Sequence, residues 1–188
     1  ELKKTQKKKY RLNVEQSEAL KFLKKDKNKF DVSVLQGTTG SGKTLVYFEC
    51  IKKIIQNNDQ ALVLLPEIFL TNEFKSRFEE FFGFEPSIWH SKITPKQKRI
   101  IWKGLIKNKI KILVGARSAL LLPFKKLGLI IVDEEHDNSY KQDEGVIYNA
   151  RDMAISRASF ENIPIHLVTS IPSIETYNNI CNKKYRHI

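Results

Sequence analysis

Cysteine is almost absent: the 188 residues hold only Cys50 and Cys181, far apart and with no CxxC pairing. That argues against a zinc site in this chain and against a disulfide framework, and makes a reducing cytoplasm the expected compartment. Long apolar runs are lacking too. The longest are strand-sized, well short of the roughly 20 residues a membrane span needs. No secretory signal pattern opens the chain, and no internal repeat or low-complexity insert interrupts it. Acidic residues are scarce beside basic ones, 21 against 33, for a formal net charge of +12. The excess is uneven: residues 1–30 hold eleven Lys and Arg against four Asp and Glu. Charge alone therefore leaves nucleic-acid binding open.

What is present is enough for one good-sized domain with a proper core. Residues 1–11, "ELKKTQKKKYR", read as a solvated basic linker, in preference to a DNA-gripping arm, ahead of a domain spanning 12–188. The chain begins without Met and is read as a slice of a longer protein. A helix is expected from Val14 to about Lys25. Beyond it, apolar runs alternate with helical patterns. Strands are expected over 30–37, 61–66, 87–90, 109–115, 127–133 and 163–170. Between them lie a helix from Lys43 to Gln56 and one capped by Thr71, with Phe74, Phe78, Phe81 and Phe82 at helical spacing and Gly83 as its stop. Another starts at Thr94-Pro95-Lys96-Gln97, a capping box that turns Ile100, Ile101 and Leu105 inward. A last one covers about Asn149–Phe160. Non-alternating strands of this kind predict a mainly parallel sheet with helices on both faces, a three-layer α/β/α fold.

"GTTGSGKT", residues 37–44, matches G-x-x-x-x-G-K-[ST] with a strand before it and a helix after it. Gly37, Gly40 and Gly42 permit a tight turn whose N–H groups point inward, with Thr38, Thr39 and Ser41 in the same loop. Those amides and the positive end of the following helix suit phosphate oxygens. Lys43 would neutralise the β and γ phosphates of a nucleotide, and Thr44 would ligate Mg²⁺. "LGLIIVDEEHDNSY", residues 127–140, carries an apolar strand straight into Asp133, Glu134, Glu135 and His136. Clustered carboxylates at a strand end are costly without a compensating cation. A phosphate loop explains two of them: Asp133 to hold Mg²⁺ with Thr44, and Glu134 to polarise the attacking water.

A phosphate loop alone does not separate kinases, GTPases, AAA-type ATPases and helicases. Asp-Glu-Glu-His resembles the DExH box of superfamily 2 helicases. "ALVLLPEIFLT", "WHS", "GARSALLLPFKKLGLIIVDEEHDNSYKQDEG" and "YNARDMAISRA" together resemble the first helicase lobe of the primosomal replication-restart helicases of bacteria, a P-loop, RecA-like domain. The resemblance runs from about Leu12 to the end. It implies ATP and Mg²⁺ as cofactors, single-stranded or forked DNA and other replication-restart and replisome proteins as partners, and 3′–5′ unwinding in the service of reloading the replication machinery. It implies that Gln16 reads the adenine edge and that Glu135 and His136 couple ATP state to DNA grip. It also implies that Pro66, Glu67, Thr71, Arg117 and Ser118 line the DNA path. Tyr140, Lys141, Gln142, Tyr148 and Arg151 resemble an aromatic-rich loop that joins DNA binding to hydrolysis, with Tyr140, Lys141 and Arg151 expected on the strand. His90 also fits the family pattern.

Three departures stand out. Thr169-Ser170-Ile171-Pro172-Ser173 replaces the usual Ser-Ala-Thr-Pro-Ser, Asn149 stands where His is usual, and Ala116 where Thr is usual. The resemblance further implies a second lobe carrying an arginine finger, worth roughly 10³–10⁵ in rate. A lone first lobe is expected to bind Mg-ATP weakly and neither to hydrolyse it fast nor to unwind DNA. Readings from other classes are a P-loop nucleotide or small-molecule kinase, which lacks an evident lid here, and a non-catalytic DNA- or partner-binding module.

Overall fold

The apolar runs pair side by side, as strands do when helices cover both faces of their sheet. A computed structural model of the chain describes residues 10–24, 29–142 and 147–188. Its strands are β1 Asp31–Gln36, β2 Gln60–Leu64, β3 Ser87–Trp89, β4 Ile112–Gly115, β5 Leu127–Asp133, β6 Lys141–Gln142, β7 Tyr148–Asn149, β8 Pro164–Thr169 and β9 Arg186–His187. Seven of them form one sheet in the order β3-β4-β2-β5-β8-β1-β9, with every pairing parallel. β6 and β7 make a separate antiparallel ribbon. The helices are α1 Val14–Leu23, α2 Lys43–Gln56, α3 Asn72–Phe82, α4 Pro95–Ile106, α5 Ala150–Glu161 and α6 Ile174–Cys181.

Alternate residues of each central strand serve opposite cores. Ala61 and Val63 of β2 pack with α1, α2 and α3, whereas Leu62 and Leu64 pack with α4 and α5. The expected three-layer α/β/α arrangement results. The phenylalanine stripe of α3 meets Phe48 of α2, with Phe48 and Phe78 ring centroids 5.6 Å apart. A fully buried Phe of this kind resists truncation by about 3–5 kcal/mol. Thr71 caps α3 through the Phe74 N–H, and Gly83 ends it at φ 79°.

The parallel register brings the C-terminal ends of the strands to one edge, where ligands of such sheets bind. Gln36 lies beside Thr169, Val168 beside Asp133 and Val132 beside Leu64. The phosphate loop after β1 and the acids after β5 are thus one strand, β8, apart.

Some expectations need correction. Ile100 is 57% exposed while Ile101 and Leu105 are buried. α4 buries the i, i+4 pair Ile101 and Leu105, and Ile100 falls outside that narrow stripe. β4 starts at Ile112 because the Lys109 and Ile110 amides still donate to Gly104 O, at 2.8 and 3.2 Å. α6, β9 and the β6–β7 ribbon were not foreseen. Lys25, expected as the end of α1, and most of the basic lead-in lie outside the described residues.

Candidate functional site

The turn between β1 and α2 is built by glycine. Gly40 and Gly42 take φ of 83° and 84°, which L side chains resist, and Gly42 caps α2. Lys43 opens the helix and donates from Nζ to Gly37 O at 2.6 Å and Thr38 O at 3.0 Å. Its ammonium therefore lies over the loop it belongs to. The capping box of α1 also reaches this loop. Gln16 Oε1 accepts from the Asn13 amide at 3.0 Å, while Nε2 donates to Ser41 O at 2.9 Å. Gln16 thus ties α1 to the phosphate loop.

Asp133 ends β5 with only 8% of its surface exposed. Its Oδ2 accepts from the Tyr47 hydroxyl at 2.9 Å and its Oδ1 from the Glu134 amide at 3.0 Å. Burial, aided by the Glu134 charge, pushes the carboxyl up to about 6, while Tyr47 and Lys43 pull it down. Glu134 sits at φ 50°, an unusual conformation for a side-chain-bearing residue. That turn brings it onto the same cavity as Thr39, Gly40, Gly42, Lys43, Thr44 and Asp133. The cavity holds about 730 Å³ and is lined also by Tyr10, Arg77 and Glu80. Thr44 and Asp133 bring a hydroxyl and a carboxylate to this cavity, hard oxygen donors of the kind that fit a hard divalent cation.

The next two residues turn away from the cavity. His136 Nδ1 lies 2.8 Å from Thr169 Oγ1, whose own proton goes to Ile171 O at 2.7 Å. A hydroxyl has one proton, so His136 Nδ1 carries the N–H and donates. The same Nδ1 is 3.8 Å from Glu134 Oε2. At the departure from the family pattern, Ile171 takes part through its backbone carbonyl, which accepts from Thr169. Glu135 is fully enclosed. Its Oε1 accepts from the Ser173 amide at 2.7 Å, and its Oε2 from Thr176 Oγ1 at 2.9 Å and Arg151 Nη1 at 3.2 Å.

Two residues expected on DNA are placed in the interior. Tyr140 is 1% exposed, and its hydroxyl is shared between Leu64 O at 3.0 Å and Asp133 O at 2.6 Å. Arg151 is 4% exposed and bound to Glu135, Asp152 and Ser173. A ring or guanidinium so enclosed has no face to offer a base or phosphate. Pro66 is buried as well.

The remaining candidates for that path lie at or near the surface. Arg117 donates from Nη1 to Lys141 O, drawing the segment after β4 onto the one after β5. Ser118 accepts from Trp89 Nε1 at 3.1 Å. Glu67 accepts from the Ser91 amide at 3.2 Å, Thr71 caps α3, and His90 Nδ1 accepts from the Lys92 amide at 3.2 Å. Tyr148 and Gln142 face each other in the β6–β7 ribbon. Tyr47 and Thr176 were not singled out in the sequence, and Thr169 and Ser173 entered only as part of a departure from the family pattern. Of the first two only Tyr47 had a signal, one helical turn beyond Lys43.

The family model described as DEAD/DEAH box helicase matches residues 13–173. The replication restart protein PriA of Rickettsia felis is 49% identical over 175 residues, which cover 93% of this chain and 26% of that protein. PriA of Haemophilus influenzae is 43% identical over 159 residues, or 85% of this chain and 22% of that protein. The chain thus spans about a quarter of the length of these relatives. In fold it is similar to RecG bound to a three-way DNA junction, with a TM-score of 0.66 at 23% identity, covering 91% of this chain and 22% of that one.

Proposed function

The chain belongs to the DEAD/DEAH box helicase family, and from that premise we propose that it is the first, ATP-binding lobe of a 3′–5′ DNA helicase that restarts replication at stalled forks. The observation that carries the reading is one cavity shared by Lys43 and Thr44 of the phosphate loop with Asp133 and Glu134 of the acid box. Beside it, Glu135 and His136 are bonded to the 169–176 segment. A kinase needs the first feature and has no use for the second.

In this reading the loop amides and Lys43 hold the nucleotide phosphates. Thr44 and Asp133 hold Mg²⁺, which when bound neutralises charge on the β and γ phosphate oxygens. Glu134 orients the attacking water. Movement at the γ-phosphate end reaches Thr169 through His136, and reaches α5 and α6 through Glu135. Glu67, Thr71, Arg117, Ser118 and Lys141 contribute to a surface for the phosphates and sugars of single-stranded or forked DNA, a kind of contact that positions a strand without reading its bases. Other replication-restart and replisome proteins are the proposed partners.

The test is ATPase of the full-length protein with and without forked DNA, beside a Glu134→Gln control. Stimulation by the fork, lost in the control, is expected. Turnover indifferent to DNA, or phosphoryl transfer to a nucleoside, would sink the proposal.

A further inference from the structure

The Asp133 carboxylate is buried at the end of β5, and its aim depends on the groups that bond its two oxygens. A buried carboxylate needs donors on its oxygens. The backbone supplies one, the Glu134 amide on Oδ1. The other comes from α2. Tyr47 lies three residues after Thr44 and four after Lys43, so all three share one face of the helix. A single turn of α2 thus carries an ammonium over the phosphate loop, a Thr44 side chain on the cavity and a phenol on Asp133.

Tyr47 is completely enclosed, its ring edge-on to Phe48 at a centroid distance of 5.2 Å. Packing of that density leaves the phenol one position. It does not line the nucleotide cavity, whereas Asp133 and Thr44 do. Its hydroxyl donates to Asp133 Oδ2 at 2.9 Å. Each Asp133 oxygen keeps a lone pair beyond the hydrogen bond it accepts, available to a cation or to the cation's water.

We infer that Tyr47 is a positioning residue of the magnesium–nucleotide site, fixing the Asp133 carboxylate through Oδ2 from the same helical turn that carries Lys43 and Thr44. The inference rests on the ATP-binding reading above. It assigns Tyr47 no contact with nucleotide or reacting atoms. Its effect is confined to the part of nucleotide affinity that depends on the metal.

The experiment uses the full-length protein and a fluorescent (N-methylanthraniloyl) ATP, titrated in EDTA and again against rising Mg²⁺. Tyr47→Phe removes one oxygen. The expected result is EDTA affinity within twofold of wild type and a Mg²⁺ half-saturation raised on the order of tenfold, as loss of one hydrogen bond to a charged group implies. In steady-state turnover the KM for Mg²⁺ rises more than kcat falls. In an Asp133→Asn background, which folds without needing a donor to a charge, Tyr47→Phe changes the Mg²⁺ dependence no further. An unchanged Mg²⁺ titration overturns the inference. So does an equal loss of affinity with and without Mg²⁺, which marks a packing role alone. Wild-type protein that binds no nucleotide would overturn the ATP reading itself, a distinguishable failure.

Discussion

Arg151 and Glu135 meet at 3.2 Å, with side chains 5% and 0% exposed, and the pair joins the strand end that carries the acid box to the first turn of α5. Breaking a buried pair by removing one partner leaves an uncompensated charge and costs about 3–5 kcal/mol. Arg151→Met and Glu135→Met should each destabilise by that order in urea denaturation. The double variant should lose less than the sum, because no charge is stranded. An Arg151→Met protein of wild-type stability with weakened DNA binding would restore the surface role that its burial contradicts.

Tyr140→Phe tests the second residue that the fold turned inward. Its hydroxyl serves two backbone carbonyls, Leu64 O and Asp133 O, in a site with 1% exposure. Leaving them without that donor should cost about 1–3 kcal/mol. Affinity for a single-stranded oligonucleotide should stay within about twofold. A tenfold loss of affinity with stability unchanged would mean that the ring stacks on bases after all.

These two residues show where the sequence ran out. The phosphate loop and the Thr94 capping box are legible because their geometry is dictated by neighbours within eight positions. Whether Arg151 faces water is decided by Glu135, 16 residues back, and Ser173, 22 ahead. Nothing local marks such a pair. β9 is a two-residue strand, too short to be seen as a pattern. It is held by Arg186 on Asp31 at 2.6 Å across 155 positions. The parallel sheet was readable from its apolar runs, but the helix phase that exposes Ile100 depended on where α4 settles against it.

His166, in the middle of β8, supplies a pH dependence. Burial, with a smaller push from Arg186, lowers its pKa from 6.5 to about 4, while Asp31 acts the other way. The folded state thus binds the proton less readily than the unfolded chain. Its contribution is intact above pH 6.5 and is lost as pH falls toward 4, amounting to on the order of 3 kcal/mol. His166→Leu should flatten the stability profile across that window. A variant whose stability declines as steeply as wild type between pH 6.5 and 4 would show that other groups carry the acid sensitivity.

The link between Gln16 and the phosphate loop is tested at Gly42. A Cβ there would lie 2.3 Å from Gln16 Nε2, on a residue whose φ is 84°. The two penalties differ in kind. The amide is the far end of a flexible side chain and can swing aside, giving up its bond to Ser41. The backbone angle cannot relax without reshaping the loop, and for an L residue it costs roughly 1–2 kcal/mol. Gly42→Ala should therefore weaken ATP binding by about tenfold or more. Adding Gln16→Ala should recover only part of the loss, since it removes the clash and leaves the strained angle. Full recovery in the double variant, measured by the same nucleotide titration, would mean that Gln16 alone had set the loop's shape.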